Sequence, residues 1–420
     1  MNESVDLLII GAGPAGLAAA LAAAPSGARI ALIDDNPLPG GQIWRDGPQA
    51  NIPAQARSMR DELQAFANIH LHSACKVIAR GGARQLLVEN AERGWLISYE
   101  KLILCTGARE LLLPFPGWTL PGVTGAGGLQ ALIKGGLAVK GQRVVIAGSG
   151  PLLLASAATA NTKGAQVIRI AEQASLTALA GFAASLWQWP NKAWQAFGLF
   201  DGNYRAGSHV IAALGTQHLE AVRIQRGKRV EEIPCERLAC GFGLVPNVEL
   251  GQALGCQVVE RAIVVDQWQA TSLEHHYAAG ECTGFGGSEL ALVEGRIAGL
   301  AAIGWQQQAQ ALWPQRQRWQ GFADALRRSF ALGPTIKSLA EPQTLVCRCE
   351  DVSYAELAQH SDWKHAKLAT RCGMGACQGR ICSTATQTLF GWEPPAARPP
   401  FSPARVETLM ELDRPPVQTV

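Results

Sequence analysis

Two strand–glycine–helix units, one at the N-terminus and one beginning near Gln142, constrain this chain more than any other feature. In the first, the apolar run Val5 to Ile10 enters Gly11-x-Gly13-x-x-Gly16 and then the Ala-rich stretch Pro14 to Ala24. Such an apolar run, broken only by Asp6, reads as a strand buried on both faces. The next strand, Arg29 to Ile33, ends at Asp34. Gly11 permits a tight turn, Gly13 lets a pyrophosphate approach the backbone, and Gly16 lets helix and strand pack closely. The helix N-terminus offers free N–H groups and a positive dipole to phosphates. Asp34 stands where a carboxylate takes ribose hydroxyls. The second unit has the strand Arg143 to Ala147, the turn Gly148-Ser149-Gly150-Pro151, the helix Leu152 to Asn161 and the strand Gln166 to Ile170. Leu153 replaces its third glycine, which predicts a shifted turn or a helix held off its strand. Glu172 takes the ribose position and disfavours the 2′-phosphate of NADP. NAD(H), another adenine nucleotide, or no nucleotide at all remains open for this turn. The expected fold class is α/β, with two Rossmann-like dinucleotide-binding domains of the FAD/NAD(P)-linked reductase type.

The length of 420 residues leaves room for about three domains. Gly is 45 of 420, well above an average of roughly 7%, which suits tight turns and close backbone approach to ligands. A net charge of +3, with Lys and Arg scattered, gives no basic stripe and no electrostatic case for nucleic acid or a membrane surface. The apolar run Leu7 to Ala24 is not read as a span or signal peptide. It contains Gly11, Gly13 and Gly16, follows acidic Glu3 and Asp6, and lacks a basic n-region. A reducing cytoplasm is the expected compartment, with no disulfides.

Five of the 11 cysteines crowd the C-terminal region: Cys347-Arg-Cys349, Cys372-Gly-Met-Gly-Ala-Cys377 and Cys382. Four thiolates hold an iron–sulfur cluster, and the two pairs Cys347/Cys349 and Cys372/Cys377 supply four. Zinc pairs usually show about two to four intervening residues, and Cys347-x-Cys349 is tighter, which favours a cluster over zinc or free thiols. The segment from Gln378 reads as a helix, placing Cys382 over a turn away as a helix-packing residue. Cys75, Cys105, Cys235, Cys240, Cys256 and Cys282 read as small buried or loop residues. No CxxC follows Gly41 or lies in the second unit. His275-His276 read as a solvated strand end. The stretch Gly181 to Phe200 carries Phe182, Trp187, Trp189, Trp194, Phe197 and Phe200, and is a candidate partner contact or a helix packing its own domain. Ser288 to Ile303 predicts a helix, and Gln306 to Gln320 a polar helical spacer. The tail, with Pro394, Pro395, Pro399, Pro400 and Pro403, is expected to be extended rather than packed.

Residues 103–107, ending in Cys105-Thr106-Gly107, and 277–281, Tyr277-Ala-Ala-Gly280-Glu281, resemble the two further signatures of two-dinucleotide-domain flavoproteins. That resemblance implies FAD in the first unit. Its site would use Gly11, Gly13, Gly16, Asp34, Gly41, Gln42, Thr106, Gly107, Gly280 and Glu281, where Glu281 stands for a more usual Asp. Gly148, Gly150 and Glu172 would form the second nucleotide site. Residues 346–352 (VCRCEDV) and 371–382 (RCGMGACQGRIC) resemble the [2Fe–2S] module of bacterioferritin-associated ferredoxin. The whole order resembles the nucleotide-binding subunit of opine oxidases, hydrogen cyanide synthase and heteromeric proline and D-hydroxyproline dehydrogenases. It implies an FAD domain at 1–115 and 250–335, a degenerate nucleotide domain at 116–249, a [2Fe–2S] domain at 340–392 and a tail at 393–420. It also implies a partner flavoprotein subunit resembling D-amino-acid oxidases, which oxidises the C–N bond of an amino or imino acid and passes electrons to this chain. Some such complexes hold FMN at a subunit junction, include a small ferredoxin-like third subunit, or lie against the inner membrane through their partners. No His–Asp–Ser constellation or spaced carboxylate pair stands out, so catalytic residues for the C–N bond are not expected in this chain. An NAD(P)H-dependent reductase and a scaffold without redox duty are the rival readings.

Overall fold

The computed structural model describes residues 3–393 and 397–413, so Pro394 and Pro395 lie outside the described residues. The first glycine unit sits in a sheet whose parallel strands run in the order Ile69–His72, Ile30–Ile33, Glu3–Ile10, Gly94–Leu104 and His276–Ala278. Leu7 to Ile10 are all buried, Leu7 and Ile9 under the helices and Leu8 and Ile10 under the meander, as the uninterrupted apolar run requires. Gly94–Leu104 is long enough for two roles. Its C-terminal half pairs with Glu3–Ile10, while its start joins an antiparallel meander with Gln85–Glu89 and Lys76–Gly82.

The second sheet repeats the arrangement: Tyr204–Ala206, Gln166–Glu172, Arg143–Gly148, Arg237–Gly241 and Val123–Gly125, all parallel. An antiparallel meander, Ser208–Leu214, Ala221–Arg226 and Arg229–Pro234, flanks it. The chain crosses between the two units on a short antiparallel pair, Ala108–Glu110 with Leu244–Pro246. Both sheets turn the carboxyl ends of their strands toward this crossing, where open α/β sheets bind ligands. The Pro14–Ala23 helix packs against Ser288–Ala302, closing the first core.

The polar spacer forms two helices, Gln306–Gln310 and Trp313–Ser329. The aromatic stretch forms Leu176–Ser185 and Pro190–Gly198, which bury Leu186 and Trp189 against Phe322 and Ala325. The cysteine module has its own core of Val346, Val352, Leu357, Trp363, Ala366 and Ala385 under the small strand pair Leu345–Cys347 and Val352–Ser353.

Two expectations are corrected. The tail is packed. Val406–Leu409 is helical, Ala404 and Leu409 cover Ile78, Ala79, Leu87 and Leu96, and the Arg405 N–H donates to Glu89 Oε2 at 3.0 Å. The helical turn falls between Pro403 and Pro415, so proline content carried no information on it. His276 is buried and bonded to Tyr99 Oη at 3.2 Å and the Glu274 carbonyl at 2.7 Å, while His275 alone stays exposed. Among the described residues, no helix is long and apolar enough to cross a membrane.

Candidate redox site

A cavity of about 1960 Å³ runs between the two units. Single-ligand pockets usually fall within about 300–1,000 Å³, so this space suits an extended dinucleotide with room beyond it. Gly11, Gly13, Asp34, Gly41, Gln42, Thr106, Gly107 and Glu281 line it together.

The first glycine turn has no room for side chains. A Cβ at Gly11, where φ is +105°, would stand 2.2 Å from the Cys105 carbonyl oxygen, and one at Gly16 would stand 1.7 Å from that of Gly11. Gly16 therefore works behind the turn, by allowing the contact. Gly13 caps the helix and Pro14 is its first residue, which leaves the N-terminal N–H groups facing the cavity. The Gly40 N–H donates to the Ala12 carbonyl at 2.7 Å, laying the Gly40-Gly41-Gln42 loop beside the turn. Asp34 accepts from the Ala12 N–H at 2.5 Å and from Asn36, and still borders the cavity, so unused lone pairs remain for a ribose. Burial raises the Glu281 carboxyl, to which no described residue donates a hydrogen bond. These residues fit FAD: a cradle without side chains, open helix N–H groups and acidic acceptors bordering the cavity.

Gly280 does not line the cavity. Its N–H donates at 3.1 Å to Oε2 of Glu294, which also accepts from Thr283 Oγ1 at 3.3 Å and has Arg316 Nε 3.7 Å from its other oxygen. Burial pushes the Glu294 carboxyl up to about 7, with Arg316 opposing. Sequence reasoning missed Glu294, although a lone acid in the apolar stretch 290–302 was a signal. It also missed Glu110, whose oxygens accept from the Gly127 and Gly128 N–H groups at 2.7 and 2.8 Å.

The second turn differs. Its helix is Leu152–Thr162, starting one residue later relative to its second glycine than the first helix does, and Leu153 is wholly buried in the core. Gly148 lies behind the turn and Gly150 borders the cavity, but Glu172 does not reach it. Glu172 is 0% exposed and accepts from Gly150 N–H at 2.8 Å, Ala174 N–H at 2.8 Å and Tyr204 Oη at 3.2 Å. The expected ribose acceptor is therefore turned inward as a clamp. The chain also bonds this turn to its own segment 330–333. Ser149 Oγ donates to the Phe330 carbonyl at 3.0 Å, and Gln173 Nε2 to the Ala331 carbonyl at 2.8 Å. The Gly333 N–H donates to Gln173 Oε1 at 3.0 Å.

In the cysteine module, Cys347, Cys372 and Cys382 hold their sulfur atoms within 4.8 Å of one another, all buried. Cys349, exposed, hydrogen-bonds with Cys377. The helix expected from Gln378 begins only at Cys382, so this thiol sits at the helix start, facing the group. That late start changes the reading of Cys382 from a packing residue alone to a member of the thiol group. Hydrogen bonds from the Cys372 and Cys382 thiols hold Cys347 well below the usual thiol range, while the same contacts push Cys382 up. The donor set, all sulfur, fits an iron–sulfur cluster. The six other cysteines are buried, and burial raises each of them, so they stay protonated.

Residues 5–307 match the family described as pyridine nucleotide-disulphide oxidoreductase. This chain belongs to that family. The family match makes it a flavin-dependent oxidoreductase and supports FAD in the first cradle. Within the family it is 31% identical to an opine oxidase subunit of Agrobacterium tumefaciens (strain Ach5), over 98% of this chain and 92% of that one. It is 32% identical to hydrogen cyanide synthase subunit HcnB of Pseudomonas protegens, over 90% of each. The crystal structure of L-proline dehydrogenase from P. horikoshii shares the fold, with a TM-score of 0.69 and 19% identity over 97% of this chain and 80% of that one.

Proposed function

We propose that this chain is the FAD- and [2Fe–2S]-carrying electron-transfer subunit of a heteromeric dehydrogenase or oxidase. The complex would oxidise the C–N bond of an amino or imino acid of the proline, hydroxyproline, opine or glycine class. A partner subunit resembling D-amino-acid oxidases would supply the electrons. FAD exchanges electrons singly or in pairs and an iron–sulfur cluster singly, so together they link substrate oxidation to a one-electron acceptor. The observation that carries this direction of flow is the second glycine turn. Its ribose acceptor is clamped inward and its Ser149 and Gln173 are bonded to residues 330 and 331, which disfavours NAD(P)H as donor.

Two pairs of thiols support the cluster. Cys349 with Cys377 forms one. Cys347 with Cys372 forms the other, both buried, in a thiol group that Cys382 also joins. The relatives are named as subunits, which supports a complex of several chains. Trp187, Trp194, Phe197 and Phe200 stand exposed, and Lys192 beside them is held by Glu289 at 2.6 Å. This uncharged aromatic face suits a protein partner.

Anaerobic titration tests the reading. NADH and NADPH should leave the flavin of the isolated chain oxidised, whereas the co-purified complex with its amino acid should bleach it. Rapid bleaching by NADH would overturn the reading in favour of a self-sufficient reductase. Iron and sulfide assays with EPR should find one [2Fe–2S] centre, and a zinc-only, EPR-silent protein would remove the cluster.

A further inference from the structure

The cysteine-bearing segments meet the flavoprotein frame at two donors. Trp118 Nε1 donates to the Leu345 carbonyl at 2.6 Å, on the strand that carries Cys347. Arg109 Nε donates to the Arg380 carbonyl at 3.1 Å, in the loop between Cys377 and Cys382. Each cysteine segment is thus held by one side chain from outside the module.

Arg109 has a second attachment. It follows the Thr106-Gly107 turn by two residues and borders the cavity. Its Nη1 donates to Asn247 Oδ1 at 2.7 Å and pairs with Glu249 at 2.8 Å. Asn247 is locked to the same turn. Thr106 Oγ1 donates to its carbonyl at 2.6 Å, and its Nδ2 donates to the Thr106 carbonyl at 2.9 Å. A single guanidinium therefore ties the cavity-lining turn to the cysteine loop. A planar fork with fixed donor directions suits this task; an ammonium on a flexible stem does not.

We propose that Arg109 is a positioning residue that, with Trp118 as a second clamp, fixes the cysteine module against the flavin site. This rests on the reading above that the cavity holds FAD and the module a cluster. An electron lost by the reduced flavin is then gained by the cluster without any bond made or broken, so its rate depends on the separation these clamps set.

The test uses the full chain, as Arg109→Ala, Arg109→Lys and Trp118→Phe. FAD, iron and sulfide content are measured first. Flash photoreduction with a deazaflavin then follows electron redistribution between flavin and cluster. In parallel, trypsin cleavage at exposed Lys337, in the segment leading into the module, reports undocking even without cofactors. Loss of one charge-assisted hydrogen bond predicts about tenfold faster cleavage in Arg109→Ala. It also predicts slower flavin-to-cluster transfer at unchanged cofactor content. Arg109→Lys should not restore the rate, and Trp118→Phe should shift both readouts the same way. Unchanged cleavage and transfer in Arg109→Ala would overturn the proposal. If Arg109→Ala loses FAD, Trp118→Phe decides by the same criteria, since Trp118 does not line the cavity. A wild-type chain without iron would refute the cluster reading, while the cleavage comparison would still decide the docking role.

Discussion

Replacing Glu294 by Gln probes the turn that presents Glu281 to the cavity. The Glu294 side chain is buried and holds the Gly280 N–H and the Thr283 hydroxyl, with Arg316 beside it. Burial raises its carboxyl from 4.5 to about 7. Between those values the folded protein binds more protons than the unfolded chain. Stability from this group is therefore fully present below about pH 4.5 and falls as pH rises toward 7. At about 1.4 kcal/mol per pH unit, that interval is worth about 3 kcal/mol. Gln keeps an oxygen for the Gly280 N–H and stays neutral throughout. Urea unfolding at a series of pH values should show the wild type losing about 3 kcal/mol more than Glu294→Gln between pH 5 and pH 8. The variant should be the more stable protein at the upper end. Parallel pH profiles for the two proteins would refute the reasoning, because the buried carboxyl would then carry no linked proton.

Gly16→Ala places a methyl group 1.7 Å from the Gly11 carbonyl oxygen, so the turn must open at a cost of about 1–3 kcal/mol. The flavin-to-protein absorbance ratio of the purified variant should fall. Glu172→Gln turns an amide NH₂ toward either the Gly150 or the Ala174 N–H, leaving a buried donor unpaired at about 1–3 kcal/mol, which thermal unfolding will register. Cys372→Ala should strip iron and the EPR signal, while Cys382→Ala should retain both; the reverse result would put Cys382 in the ligand set.

Much of the fold was legible because its signals are local. Strand, turn and helix follow one another within residues 5–24 and again within 143–170, and a glycine needed for close approach announces itself by its spacing. The Leu153 substitution correctly marked the second turn as altered. Other features were not legible, since they depend on contacts between distant residues. Ser149 meets the carbonyl of Phe330, 181 residues away, and Arg109 meets that of Arg380, 271 residues away. The nearness of the Cys382 thiol to Cys347 and Cys372 was not legible either, because the helix start, not the residue spacing, fixes which way it faces.

By itself, the sequence determined two strand–glycine–helix units, an FAD-like set of acidic and glycine residues in the first, and a thiol-rich module, because those depend on short-range backbone geometry. Tertiary structure alone decided that Glu172 points inward, that residues 330–333 bond to the second turn, that the Cys382 thiol lies beside Cys347 and Cys372, and that Arg109 bridges cavity and module. Each of these turns on where a buried polar group finds its partner, and a buried polar group takes whatever partner packing brings within hydrogen-bond reach.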